Sequence, residues 1–241
     1  MSGISVLAIA AQSMSDDMSR LATISNNLAN ATTPGFKKDI PIARSFVEVL
    51  QAAGGNDQLS FVTTMPVTDT VVDSRAGSLH FTGGPLDVAI DGNGFFELQS
   101  EQGPLYTRQG NLQIDSHGRI VHSSGIPLAG DLTLTTTQPR IDAQGNVFED
   151  DKLVGQLRIA AFDPRTPMLK QGEGVFAAPD AAASRISSSK VRQGYLENSN
   201  VVTVTEMVSV IETMRHFEAT QKLIQGYDGM LDKAIRTLGE F

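Results

Sequence analysis

The 241-residue sequence predicts a mainly β central domain enclosed by long N- and C-terminal α-helices. Three observations carry that prediction. Apolar residues recur at steps of three and four near both termini, while the middle switches to a period of two, cut by turn-forming Gly, Asn and Asp. The chain also holds 22 glycines and no tryptophan, with only 6% aromatic residues, which suits short strands and tight turns better than a packed helical protein.

The first helix is read over residues 4–30. Ile4, Leu7, Ala11, Met14, Met18, Leu21, Ser25 and Leu28 form one stripe, with Ser13, Asp16, Asp17, Ser19 and Arg20 off it. The stripe is narrow, nearer to a two-position coiled-coil seam than to the broad face of a core helix. Asn26-Asn27-Leu28-Ala29-Asn30 then runs into Thr32-Thr33-Pro34-Gly35, residues that favour a turn and end the helix. The C-terminal segment repeats the pattern: Met207, Ile211, Met214, Gln221, Ile224, Asp228, Leu231, Ile235 and Leu238, widened by Val208, Phe217 and Leu223. Thr203 or Thr205 can cap its start, and Gly226 and Gly229 are its weak points. The two helices either pack within one molecule or wait for partners. A two-residue seam buries too little to hold an isolated helix, which favours partners.

Between the helices, Leu86–Ile90, Asp91-Gly92-Asn93-Gly94 and Phe95–Leu98 read as strand, hairpin turn, strand. Residues 112–121 and 141–148 share Ile-Asp-x-x-Gly-x before an apolar pair and read as two similar hairpins, and Leu153–Phe162 as one further strand. Ala52–Gln58 and Ala177–Lys190 read as loops. The expected organisation is a coiled-coil helix at 1–33, an extended arm at 34–75, a β-rich domain at 76–190, and a C-terminal coiled-coil helix with its lead-in at 191–241.

Composition excludes several functions. With 27 acidic against 19 basic residues and a net charge of −8, the chain is a poor ligand for nucleic acid. No apolar run approaches the roughly 18 residues that span a bilayer, so no membrane insertion is expected. Val6–Ala11 is apolar but has no Lys or Arg before it, and it continues as an amphipathic pattern, so a cleaved signal is not expected either. Without cysteine there are no disulfides, zinc thiolates or thiol nucleophiles.

No catalytic, metal or cofactor site is legible. Asp91-Gly92-Asn93-Gly94 opens like a calcium loop, but Phe95 and Phe96 stand where a ligand and a Gly are needed, and Gln102 where a bidentate Glu is needed. It also lacks the Gly-Lys-Ser/Thr of a phosphate loop. His117 and His122 read as exposed turn and strand residues, and His216 as part of a solvated helix face beside Arg215. Asp16-Asp17 and Asp150-Asp151 read as surface charge. An enzyme is therefore not expected.

Ser25-Asn26-Asn27-Leu28-Ala29-Asn30-Ala31-Thr32-Thr33-Pro34-Gly35-Phe36-Lys37 closely resembles the N-terminal signature of the bacterial flagellar basal-body rod and hook family. Asp87–Phe96, Tyr106-Thr107-Arg108-Gln109-Gly110 and Gln193–Val201 resemble its central motif, the segment after it, and the lead-in to its C-terminal helix, in family order. The resemblance implies a structural subunit that stacks into a helical axial tube transmitting torque. The terminal helices would pair in an inner coiled-coil layer on assembly, with the β-domain outside. It implies other rod subunits and copies of the chain as partners, a basal-body place in the periplasmic space, and export by the flagellar type III apparatus without a cleaved signal. The short middle resembles proximal-rod members most and distal-rod members next; a soluble β-rich binding module is the remaining alternative. The expected assembly seam is Ile4, Leu7, Met14, Met18, Leu21, Leu28, Met207, Ile211, Met214, Leu231 and Ile235. Asn26, Asn27, Leu28, Asn30, Pro34, Gly35 and Phe36 form the expected signature turn.

Overall fold

The computed structural model describes residues 3–41, 70–101, 103–163, 166, 168–172, 174–178, 185–186 and 189–239. The expected loop at Ala52–Gln58 lies outside these residues, as do 179–184 and 187–188 of the second one. The chain forms two compact units. One comprises Met1–Leu28, Asp39–Thr70 and Val202–Phe241, the other Ala29–Lys38 and Val71–Val201.

The first unit contains helices α1 (Gly3–Ala29) and α2 (Thr203–Gly239). At 1.5 Å per residue they are about 40 and 55 Å long. No proline interrupts either, and α1 stops where the Asn, Thr and Pro-Gly run begins. At the start of α2 the carbonyl of Val202 accepts from Glu206 N at 3.1 Å. Glu206 in its first turn and Arg236 in its last carry charges that complement the helix dipole. Among the described residues no helix is long and apolar enough to cross a membrane.

The second unit is β-rich. Its largest sheet has six strands in the order Leu169–Gly172, Val175–Ala177, Gly103–Thr107, Phe95–Ser100, Ile159–Ala161 and Arg185–Ile186. Alternation along Phe95–Ser100 sends neighbouring side chains to opposite faces. Phe96 and Leu98 join Val88, Ile90, Ile120 and Val147 in the main core, whereas Phe95 joins Tyr106, Ala160 and Phe176 in a smaller aromatic one. Full burial of Phe96 contributes about 2–3 kcal/mol.

Two similar hairpins do form. Gln113–Ile114 pairs with Ile120–Val121, and Arg140–Ile141 with Asn146–Glu149. Their shared Ile-Asp-x-x-Gly pattern has one cause. Asp115 accepts from the N–H of His117 and Arg119, and Asp142 does the same for Gln144 and Asn146. Asp150-Asp151 turns the next hairpin with both residues at positive φ, as a two-residue primed turn requires.

The expected loop at Ala177–Lys190 holds the strand Arg185–Ile186 among its described residues, and two further expectations differ from the structure. Asp91–Gly94 is not a hairpin turn, because the strands it joins belong to different sheets. Val88–Asp91 pairs with Lys190–Gln193, over 90 residues later, while Phe95–Ser100 pairs with Gly103–Thr107 and Ile159–Ala161. Leu153–Phe162 is two strands, Lys152–Gln156 and Ile159–Ala161. The break comes at Leu157, whose side chain is buried in the core while its N–H bonds the carbonyl of Gly145.

Candidate functional site

Within the β-rich unit the signature turn leads into a buried cluster of charges. After α1, Thr33 N donates to the Asn30 carbonyl and Phe36 N to the Thr33 carbonyl. Gly35 sits at φ +66°, and a Cβ there would lie 2.6 Å from the backbone carbonyl of Arg108 and from Gln109 N. Only glycine allows that approach. Its N–H donates to the Glu197 carbonyl at 2.7 Å, and Phe36 is buried with Lys170 over its ring.

Lys37 follows, and its side chain is 1% exposed. Its ammonium donates to Glu197 Oε1 and to the Arg75 carbonyl, each at 2.7 Å. Burial, opposed by the Glu197 carboxylate, holds its pKa below the ordinary 10.5. Glu197 Oε1 also accepts from Gly77 N, and Glu197 Oε2 accepts from Arg108 Nε in a short contact. The rest of the Arg108 guanidinium donates to the carbonyls of Ile90 (2.9 Å), Gly92 (2.6 Å) and Gly94. The Asp91–Gly94 turn is therefore wrapped around a buried arginine, which accounts for its shape without a hairpin.

Beside this node, Asn200 accepts from Lys38 N at 2.7 Å and donates to the Asp73 and Arg75 carbonyls. Asp73 is gripped by the Arg75 guanidinium, which lowers its pKa. The node holds two cations and one anion, the surplus positive charge being met by four backbone carbonyls. With side chains 1–3% exposed, it can reach no substrate. What it can do is tie together the segment leaving α1, the central turn and the segment entering α2.

The two helices meet through polar side chains. Asn27 Nδ2 donates to Glu206 Oε2 at 3.3 Å and to the Asp39 carbonyl at 2.9 Å, while Asn27 Oδ1 accepts from Asp39 N. Asp17 Oδ2 lies 2.6 Å from His216 Nδ1. Asp17, Thr23, Asn27, Glu206, Thr213 and Thr220 are all buried. The three threonines satisfy their hydroxyls on carbonyls four residues back, at Ser19, Ser209 and His216.

The expected seam residues are distributed unevenly. Leu7, Met14, Leu21 and Leu28 are half-buried and Met18 is exposed. Met207, Ile211 and Met214 are half exposed, at 50–53%, and Ile235 more so. The side chains of Ile4 and Leu231 lie outside the described residues. On α2 the buried and half-buried row is instead Glu206, Val210, Thr213, Phe217, Thr220, Ile224 and Tyr227, also at three-four spacing. Of the signature turn, Asn27, Gly35 and Phe36 are buried, Leu28, Asn30 and Pro34 half-buried, and Asn26 exposed.

One histidine expectation is corrected. His122 is fully buried rather than exposed, with Nε2 on Gln109 Oε1 at 2.6 Å and Nδ1 on Ser124. Since the N–H of Ser124 also points at Nδ1, the ring proton sits on Nε2. His117 is exposed beside Asp115, and His216, its side chain 60% exposed as a solvated face implies, also bonds Asp17. Among the described residues no group of three or more His, Asp or Glu could hold a metal ion.

Lys37, Arg108 and Glu197 all lie in motifs legible in the sequence, yet none stood out as a site residue. Lys37 and Glu197 are 160 residues apart, and no local periodicity links them.

Residues 7–37 match the family described as Flagella basal body rod protein. Residues 89–149 match the Flagellar hook protein FlgE/F/G D1 domain, and 192–237 the Flagellar basal body rod FlgEFG protein C-terminal region. Each matched segment contributes one residue of the node. The flagellar basal-body rod protein FlgF of Mesorhizobium japonicum is 32% identical over 229 residues, covering 91% of this chain and 92% of its own. FlgG of Buchnera aphidicola subsp. Acyrthosiphon pisum is 32% identical over 237 residues (87% and 90%), and FlgG of Bacillus subtilis 26% over 255 (92% and 94%). The chain belongs to the family of flagellar basal-body rod proteins.

Proposed function

We propose that the chain is a proximal-rod subunit that joins other rod subunits, and copies of itself, in a helical axial tube transmitting torque. The observation that carries the assembly reading is the row Val204, Met207, Val208, Ile211 and Met214, which stands about half exposed or more on α2. A helix in water does not keep such a row uncovered without use for it. Neighbouring subunits would cover it, together with the other seam residues, in a coiled-coil layer. Head-to-tail contacts whose rotation does not close would continue the tube. The short middle supports the proximal position.

On this reading the protein has no catalytic role and takes no cofactor. It works in the periplasmic part of the basal body, reached through the flagellar type III apparatus without a cleaved signal. Neither nucleic acid nor membrane insertion has a part in it. Ile211→Asp and Leu21→Asp should abolish rod assembly and swimming while leaving urea unfolding of the β-rich unit unchanged. Normal swimming by both variants would refute the seam. Restoring motility to a strain lacking FlgF, but not to one lacking FlgG, supports the proximal place; the reverse result assigns the distal rod.

A further inference from the structure

We infer that Asp17, Asn27, Glu206 and His216 determine the register in which α1 and α2 pair, and so decide which face of α2 is left for neighbours. The two hydrogen-bonded pairs, Asp17 with His216 and Asn27 with Glu206, are ten residues apart on each helix and run in opposite directions. The helices are therefore antiparallel, and both pairs satisfy one register together. Apolar contacts do not select that register. Side chains of similar size recur along both helices at the same spacing, and apolar packing changes little when one helix slides by a heptad.

The polar pairs do select it. A slide of seven residues in one sense sets Asp17 against Leu223 and His216 against Ile24. In the other sense, Asp17 faces Ser209, His216 faces Ala10, and Asn27 falls opposite Ser199, before α2 begins. Either slide breaks both hydrogen bonds at once and leaves buried polar groups without their partners. Rotation of α2 is constrained in the same way. Turning the Met207–Ile211–Met214 row inward would carry Glu206 out of reach of Asn27. The apolar row is the greasier surface, and the polar locks keep it from collapsing onto α1.

The consequence for neighbours rests on the assembly reading, but the register itself is testable in the purified full-length chain. The sequence has no cysteine, so introduced pairs report contact without background. Arg20 and Thr213 line the same small cavity as Asp17 and His216 and report the observed register. Ser13 with Thr213 reports the chain slipped by one heptad, the competitor in which Arg20 would meet Glu206.

In an otherwise native chain, a short bifunctional thiol reagent should cross-link R20C/T213C about tenfold faster than S13C/T213C. In a chain also carrying D17L, N27L, E206L and H216L, that preference should fall towards one while helix content by circular dichroism is retained, leucine being a strong helix former. The swap D17H/H216D, which keeps a hydrogen-bonded lock, should retain the preference that D17L/H216L loses. Equal cross-linking of both pairs in the native chain, or an undiminished preference in the leucine chain, would overturn the inference. Either result leaves the motility tests of the assembly reading untouched, so the two can fail separately.

Discussion

Replacing Glu197 with Gln keeps the shape of the side chain and removes the one negative charge in the node. Lys37 and Arg108 would then face each other as two buried cations, with side-chain exposures of 1% and 3% that leave solvent no room to screen them. Breaking a buried ion pair by removing one partner costs about 3–5 kcal/mol. Replacing Lys37 with Met instead leaves one cation on one anion, the Arg108–Glu197 contact, and the Arg75 carbonyl still accepts from Asn200. The ammonium's desolvation penalty disappears with it, so the net loss should stay within about 1.5 kcal/mol. Urea unfolding, followed by the near-ultraviolet signal of Tyr106 and Tyr195 in this tryptophan-free chain, separates the two cases. With a slope of roughly 2 kcal/mol per molar, Glu197→Gln should lower the midpoint by about 2 M and Lys37→Met by less than about 1 M. Equal losses would show that the node behaves as independent pairs, and a larger loss from Lys37→Met would refute the charge count. The pH dependence has a definite sign. Because the Lys37 pKa is lowered on folding, the unfolded chain binds the proton more tightly in the window just below 10.5, and stability rises with pH there. Lys37→Met should remove that rise.

Gly35→Ala combines a left-handed backbone with a Cβ 2.6 Å from the Arg108–Gln109 peptide, and should cost about 2–4 kcal/mol, read as a lowered thermal midpoint. His122→Phe removes the 2.6 Å donor to the buried Gln109 Oε1, leaving it only the 3.5 Å contact from Ser123 Oγ, and should cost about 1–3 kcal/mol by the same urea assay, whereas His117→Phe, at an exposed turn, should change stability little. Asp73 has its pKa lowered, chiefly by the Arg75 guanidinium. Its contribution is present above about pH 4 and is lost as pH falls through the lowered value, so Arg75→Ala should weaken the chain only above that acid window and bring its acid limb closer to neutrality.

The helices and the paired Ile-Asp-x-x-Gly hairpins were legible because their causes are local. A three-four repeat, a Pro-Gly stop, and an aspartate reaching backbone N–H groups two and four residues on each act within a single element. The Asp91–Gly94 turn was misread for the converse reason. Its four residues look like any hairpin, and what opens it is Arg108, fourteen residues beyond Gly94. His122 likewise carries no mark of burial; its partner Gln109 lies on another loop.

The sequence by itself determined the family, the class of fold and the two amphipathic termini, since each depends on residue types at fixed short spacing. Only the tertiary structure decided which of two neighbouring stripes on α2 turns towards α1: the row that mixes Glu206, Thr213 and Thr220 with Val210, Phe217 and Ile224 turns inward, with Asn27 placed to bond Glu206, while Met207, Ile211 and Met214 stay exposed. It also decided that Lys37, Arg108 and Glu197 share one buried site. Charge compensation acts through space, and chain separations of 89 and 160 residues leave no trace of it in any periodicity.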